Sequence, residues 1–132
     1  MKEKLLSLLE CAYAPYSNFK VACIIKMKDG SYVGGVNVEN ASYGATICAE
    51  RNAITNAISL GYKKGDFLSL YVMTSSGNYD SPCFLCRQVI VEFFDPTSEI
   101  ILVTKEGDDQ AFKVSDLCPY PFNSDNLKGE DS

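Results

Sequence analysis

Along this chain the hydrophobic pattern switches repeatedly between a helical period and a strand period, and that alternation limits the fold more than any other feature. Near the start, Leu5, Leu8, Leu9 and Ala12 recur at helical spacing, predicting a helix over 2–13 that Ala14-Pro15 stops. Residues 19–27 and 31–38 are short apolar runs that read as strands. The tight Lys28-Asp29-Gly30 turn between them folds the pair into a hairpin. Ala49, Ala53, Ile54, Ala57 and Ile58 then mark one side of a helix over 48–60, with Gly61 where a helix C-terminus favours a left-handed residue. A strand follows over 68–74. Cys86, Val89, Ile90, Phe93 and Phe94 predict a helix over 83–94, ended before Asp95-Pro96. The stretches 100–104 and 111–114 complete the set as strands.

Three helices interleaved with five strands imply a sheet covered on both faces, so the expected fold is a three-layer α/β/α sandwich around a mixed five-stranded sheet. The link from Thr104 to Ala111 is shorter than a parallel crossover requires, so the last two strands should pair antiparallel. A chain of 132 residues supports one core and one domain, taken as 1–128. The polar residues 129–132 read as a disordered tail.

Charge and composition then remove several classes of function. The net charge of −5, with no run of Lys or Arg, disfavours a nucleic-acid partner. Lys2, Lys4 and Leu5 to Leu9 imitate a short signal peptide, but Glu10 interrupts the apolar stretch, and no stretch approaches transmembrane length. The expected location is cytoplasmic, with no membrane partner. There is no His, which excludes Ser-His-Asp and Cys-His catalysis and every His-ligated metal site.

With His absent, the six Cys carry the metal question: Cys11, Cys23, Cys48, Cys83, Cys86 and Cys118. Cys83 and Cys86 form a C-x-x-C, a spacing shared by redox pairs and structural zinc sites. Cys48, Cys83 and Cys86 all fall at the starts of predicted helices, where the helix dipole and unpaired N–H groups favour thiolates. Three thiolates on Zn²⁺ leave a fourth tetrahedral position for water, the arrangement of a catalytic site. Arg51 and Arg87 follow two of these Cys closely and are expected to donate to thiolate sulfurs, offsetting their excess negative charge. Glu50 supplies a base beside the metal water. Cys11, Cys23 and Cys118 are expected to be buried packing residues.

Cys48-Ala49-Glu50-Arg51 followed by Ser81-Pro82-Cys83-Phe84-Leu85-Cys86-Arg87-Gln88 resembles the zinc site of the small, homotetrameric zinc-dependent cytidine deaminases. The likeness continues, in order and spacing, through Ala12-Tyr13-Ala14-Pro15-Tyr16-Ser17-Asn18-Phe19, through Gly35-Val36-Asn37-Val38-Glu39-Asn40-Ala41-Ser42-Tyr43, and through Leu117-Cys118-Pro119-Tyr120-Pro121-Phe122. It implies one zinc per chain on Cys48, Cys83 and Cys86. It also implies hydrolysis of cytidine and deoxycytidine to the uracil nucleosides and ammonia, as in pyrimidine salvage. Zinc-activated water would attack C4 while Glu50 moves the protons. By the same resemblance, the Ala49 N–H and Ser81 carbonyl hold the polar edge of the base, Asn37 and Glu39 hold the ribose hydroxyls, and Phe19 lies against the base. Phe122 would be donated by a neighbouring subunit of the tetramer, making the active sites shared.

The chain departs from the family pattern at Phe84-Leu85, where small residues are usual between the paired Cys, and at Ala22-Cys23, where Gly-Ala is usual. Phe84 opens a helix, which asks only for ordinary right-handed backbone angles. Two other readings stay open at this level: a deaminase of a cytosine-nucleoside antibiotic, which would share the zinc motifs, and a structural zinc module, which would need a fourth protein ligand.

Overall fold

A computed structural model of the protein describes residues 1–127, so the expected tail at 129–132 lies outside the described residues. The chain runs α1 (Lys2–Leu9), β1 (Val21–Met27), β2 (Tyr32–Val36), α2 (Ala49–Ser59), β3 (Phe67–Thr74), α3 (Phe84–Phe93), β4 (Glu99–Val103), β5 (Asp109–Lys113), α4 (Val114–Leu117) and α5 (Ser124–Leu127). The strands form one five-stranded sheet in the order β2-β1-β3-β4-β5, parallel between β3 and β4 and antiparallel elsewhere, β4–β5 included.

Strand alternation sorts the core into two layers. Cys23, Ile25, Leu70, Val72, Ile100 and Leu102 point to the face covered by α2 and α3, where Ala53, Ile54 and Ile90 meet them. Ala22, Ile24, Met73, Ile101 and Val103 point to the opposite face, onto Leu5 and Leu9 of α1. The expected sandwich is present.

The hairpin turns at 28–31, where Gly30 takes φ +90° and its N–H donates to Met27 O at 3.0 Å. Helix α2 sits unusually close to β2. A Cβ on Gly35 would lie 2.3 Å from Ala53 N, so the backbones touch only because no side chain intervenes. Asn52 and Asn56 donate to Val36 O and Gly34 O, locking the helix down at 2.7 and 3.2 Å.

Helix α1 ends one turn earlier than its apolar spacing predicts. Past Leu9 the chain leaves the helix and Tyr13 pairs beside Val38, and Cys11 is exposed rather than buried. Cys23 is buried as expected, and Cys118 only half-buried. Strands β1 and β2 are also shorter than the apolar runs, leaving Phe19 and Asn37 just outside the sheet. Residues 114–117, expected in part as strand, instead begin the short helix α4, whose first turn Asp116 caps by accepting the Lys113 N–H at 2.9 Å.

The register gathers the candidate site at one edge. Val21, the first residue of β1, pairs with Thr74, the last of β3, and Val36 ends β2 beside Ala22. The N-termini of α2 and α3 come to this same edge, since Cys48 and Cys83 are their N-cap residues.

Candidate metal centre and active site

Cys48, Cys83 and Cys86 lie together, all three sulfurs within 4.8 Å of one another. Cys48 Sγ is 3.9 Å from Cys83 Sγ, which is 3.5 Å from Cys86 Sγ. Sulfurs bound tetrahedrally to one zinc at about 2.3 Å stand about 3.8 Å apart, so the cluster has the right span. Among the described residues no fourth Cys, Asp or Glu joins the group. That counts against the structural module, which needs four protein ligands.

Cys48 is the acidic member. Hydrogen bonds from Cys86 above all, then from Arg51 and Cys83, bring its thiol down to about 5. Cys86 keeps its proton, held up by its bond to Cys48, by burial and by the charge of Glu50. A dication would displace that proton and draw on all three sulfurs. Arg51 Nη2 donates to Cys48 Sγ at 3.4 Å, while its Nε is buried without a hydrogen-bond partner. A fully ionised thiolate cluster is the acceptor such a donor lacks. The residues present fit zinc.

Arg87 corrects the expectation of two thiolate-bonded guanidiniums. It spans instead from Pro82 O (2.8 Å) and Ser81 Oγ (2.9 Å) to Leu117 O (2.7 Å), and stacks over the Phe84 ring at 4.4 Å. Its planar fork fits these backbone carbonyls and ties the loop before α3 to the C-terminal segment. Phe84 and Leu85 both face outward, and Phe84 has no positive φ. The departure from the family pattern therefore adds exposed apolar surface outside the cavity lining without straining the helix start.

Beside the thiols lies a cavity of about 220 Å³, whose lining includes Phe19, Asn37, Glu39, Glu50, Ser81 and both Cys48 and Cys83. Glu50, only 4% exposed, has its carboxyl pushed up to about 7, chiefly by burial and further by the Cys48 charge. A carboxyl balanced near neutrality can both take and give a proton. Ala49 is buried in the first turn of α2 without lining the cavity. Phe122 also lies outside the lining; it is 56% exposed, with its carbonyl accepting from Gln88 Nε2 at 2.7 Å.

Residues 1–104 match the family described as the cytidine and deoxycytidylate deaminase zinc-binding region. The chain belongs to this family. It is 41% identical to a cytidine deaminase of Halalkalibacterium halodurans over 89% of this chain and 88% of that one. With a cytidine deaminase of Mycoplasma genitalium the identity is 35%, over 91% of each chain. Among solved structures, the cytidine deaminase from Burkholderia pseudomallei superposes with a TM-score of 0.86 at 42% identity, covering 91% of this chain and 94% of that one.

The rest of the lining was not foreseen. Ser17, Thr46, Thr74 and Asp80 also face the cavity. Asp80 Oδ2 accepts from the Thr74 hydroxyl at 2.6 Å and from Ser76 Oγ, which pins the loop leading to Ser81 and Cys83. Asp80 stands directly before the Ser-Pro-Cys motif, but only the fold brings Thr74 to it.

Proposed function

We propose that this family member hydrolyses cytidine and deoxycytidine to uridine and deoxyuridine, releasing ammonia, with one zinc per chain on Cys48, Cys83 and Cys86. The observation that carries this reading is the buried Glu50 carboxyl opening, together with two thiols of a three-sulfur cluster, into one nucleoside-sized cavity. Zinc there would act as a Lewis acid and make water nucleophilic near neutral pH. Glu50 would take the two protons of that water in turn, passing the first to N3 and the second, from the hydroxyl left on C4, to the departing amine. One water is consumed and one ammonia leaves. Ala49 N–H and Ser81 O hold the polar edge of the base, and Phe19 covers its face.

Asn37 and Glu39 have capacity left for ribose. Asn37 Oδ1 accepts from Val21 N and its Nδ2 donates to Phe19 O, at 2.9 and 2.8 Å, leaving one N–H and one lone pair. A carboxylate offers about four acceptor sites, and Glu39 uses three of them on the 16–17 turn. The remaining site suits one sugar hydroxyl.

The reading extends to a homotetramer with shared sites, in which Phe122 closes a neighbour's cavity. Its support is an exposed aromatic C-terminal segment, with Tyr120 100% exposed at φ 52°. No helix among the described residues is long and apolar enough to cross a membrane. A cytoplasmic location, and a place in pyrimidine salvage, follow from the same reading, since reduced thiols are needed to hold the metal. The test is a nucleoside panel with the zinc-loaded protein, following loss of cytidine absorbance. Turnover of a cytosine-nucleoside antibiotic but not of cytidine would replace the substrate; turnover of none would sink the proposal.

A further inference from the structure

Ser17 sits where three cavity groups meet. Its hydroxyl donates to Glu39 Oε2 and accepts the Phe19 N–H at 3.0 Å. Its own N–H donates to Glu39 Oε1 at 3.1 Å, and the Tyr16 N–H joins the same oxygen at 2.9 Å. The carbonyl of Phe19 is held from the other side by Asn37 Nδ2 at 2.8 Å. Both backbone polar groups of Phe19 thus end on side chains that line the cavity, and one of these side chains also orients Glu39.

The chain does not reach this arrangement without cost. Asn18, between Ser17 and Phe19, is held at φ 58°, a left-handed conformation that non-glycine residues seldom adopt. The surrounding bonds must over-determine it for the turn to persist. Ser17 itself is exposed, so its place is not explained by core packing. The bonds it directs at Glu39, its own hydroxyl first, also hold that carboxyl below its ordinary range, so it stays an acceptor.

We infer that Ser17 is a positioning residue, its hydroxyl coupling the sugar-facing Glu39 carboxylate to the base-facing Phe19 so that the two halves of a nucleoside are gripped in one fixed geometry. Without the hydroxyl, Glu39 Oε2 loses a partner and can rotate, and the Phe19 N–H is released. The inference rests on the reading of Glu39 as a sugar ligand.

The experiment compares Ser17→Thr with Ser17→Val, two side chains of the same shape that differ by a hydroxyl, each assayed on cytidine and on 2′,3′-dideoxycytidine. Position 17 is exposed, and circular dichroism checks the fold of each variant. The Val variant should reduce the preference for cytidine, as the ratio of kcat/KM values, by about tenfold, the usual scale for a lost hydrogen bond to a charged group. The Thr variant should keep most of the preference. Equal loss on both nucleosides in the Val variant, or an unchanged ratio, overturns the inference while leaving the deaminase reading intact. A wild-type protein that deaminates both nucleosides equally removes the sugar role of Glu39, and the coupling with it.

Discussion

Two helix N-termini make one wall of the cavity; a turn and the ends of two strands make the other. On the metal side, Cys48 and Cys83 are N-caps, Cys86 is one turn further on, and Glu50 is two residues from Cys48. Each group is placed by its own helix, and the site is complete once the two helices dock. On the opposite side no element places a residue alone. Phe19, Asn37 and Glu39 are held by hydrogen bonds among segments about twenty residues apart, through Ser17 and Val21. One wall depends on local rigidity; the other is a network, whose members lose their places together.

The largest effect should come from the metal wall. Cys48→Ala removes the most acidic thiol and the acceptor of Arg51, and should abolish both bound zinc, measured by elemental analysis, and turnover. A variant that keeps a full zinc complement would mean that the cluster is not the metal site.

Glu50→Gln separates chemistry from metal binding on the same wall. Zinc should remain while kcat falls by at least about 10²–10⁴-fold, since one carboxyl handles every proton transfer. Near-normal kcat would assign the base elsewhere.

On the opposite wall the expected effect is smaller and selective. Glu39→Ala should weaken cytidine by about tenfold or more relative to free cytosine, which lacks the hydroxyls. Loss of similar size on both would show Glu39 acting only as the tether of the 16–17 turn, making the two walls energetically alike.

The smallest effect tests whether a neighbouring subunit supplies a third wall. Truncation before Pro119 should shift the protein to smaller species in sedimentation and cost roughly two- to tenfold in activity through the missing aromatic. Mixing the truncated chain with Glu50→Gln should restore activity above either parent, because a truncated subunit that keeps its own Glu50 can borrow Phe122 from a full-length neighbour. A truncated chain that is fully active as a monomer refutes the shared site.

The three long helices, the five strands and their order were legible in the sequence because each of these segments carries its own hydrophobic period, whereas the four-residue helices α4 and α5 are too short to show one. The ends of elements were less so. Residues 10–13 continue the apolar spacing of α1, yet the helix stops at Leu9 and Tyr13 exchanges backbone hydrogen bonds with Asn37 and Glu39 instead. That is why Cys11 stands in solvent. The three clustered thiols and the neighbouring Glu50 were readable for the same local reason: their spacing is a property of one helix start at a time. Arg87 was not, because its partners Pro82 O and Leu117 O are backbone atoms that a side-chain motif does not reveal. Ser17, Thr74 and Asp80 were missed on like grounds.

From its sequence alone this protein has a mixed α/β sandwich, a three-thiol centre and a base beside it, since period, turn chemistry and ligand spacing are short-range. Tertiary structure decided how the edge of the sheet closes. The Val21–Thr74 register, the contact of Gly35 with Ala53 and the bonds of Ser17 join segments far apart in the chain, and only packing selects which polar groups find one another there.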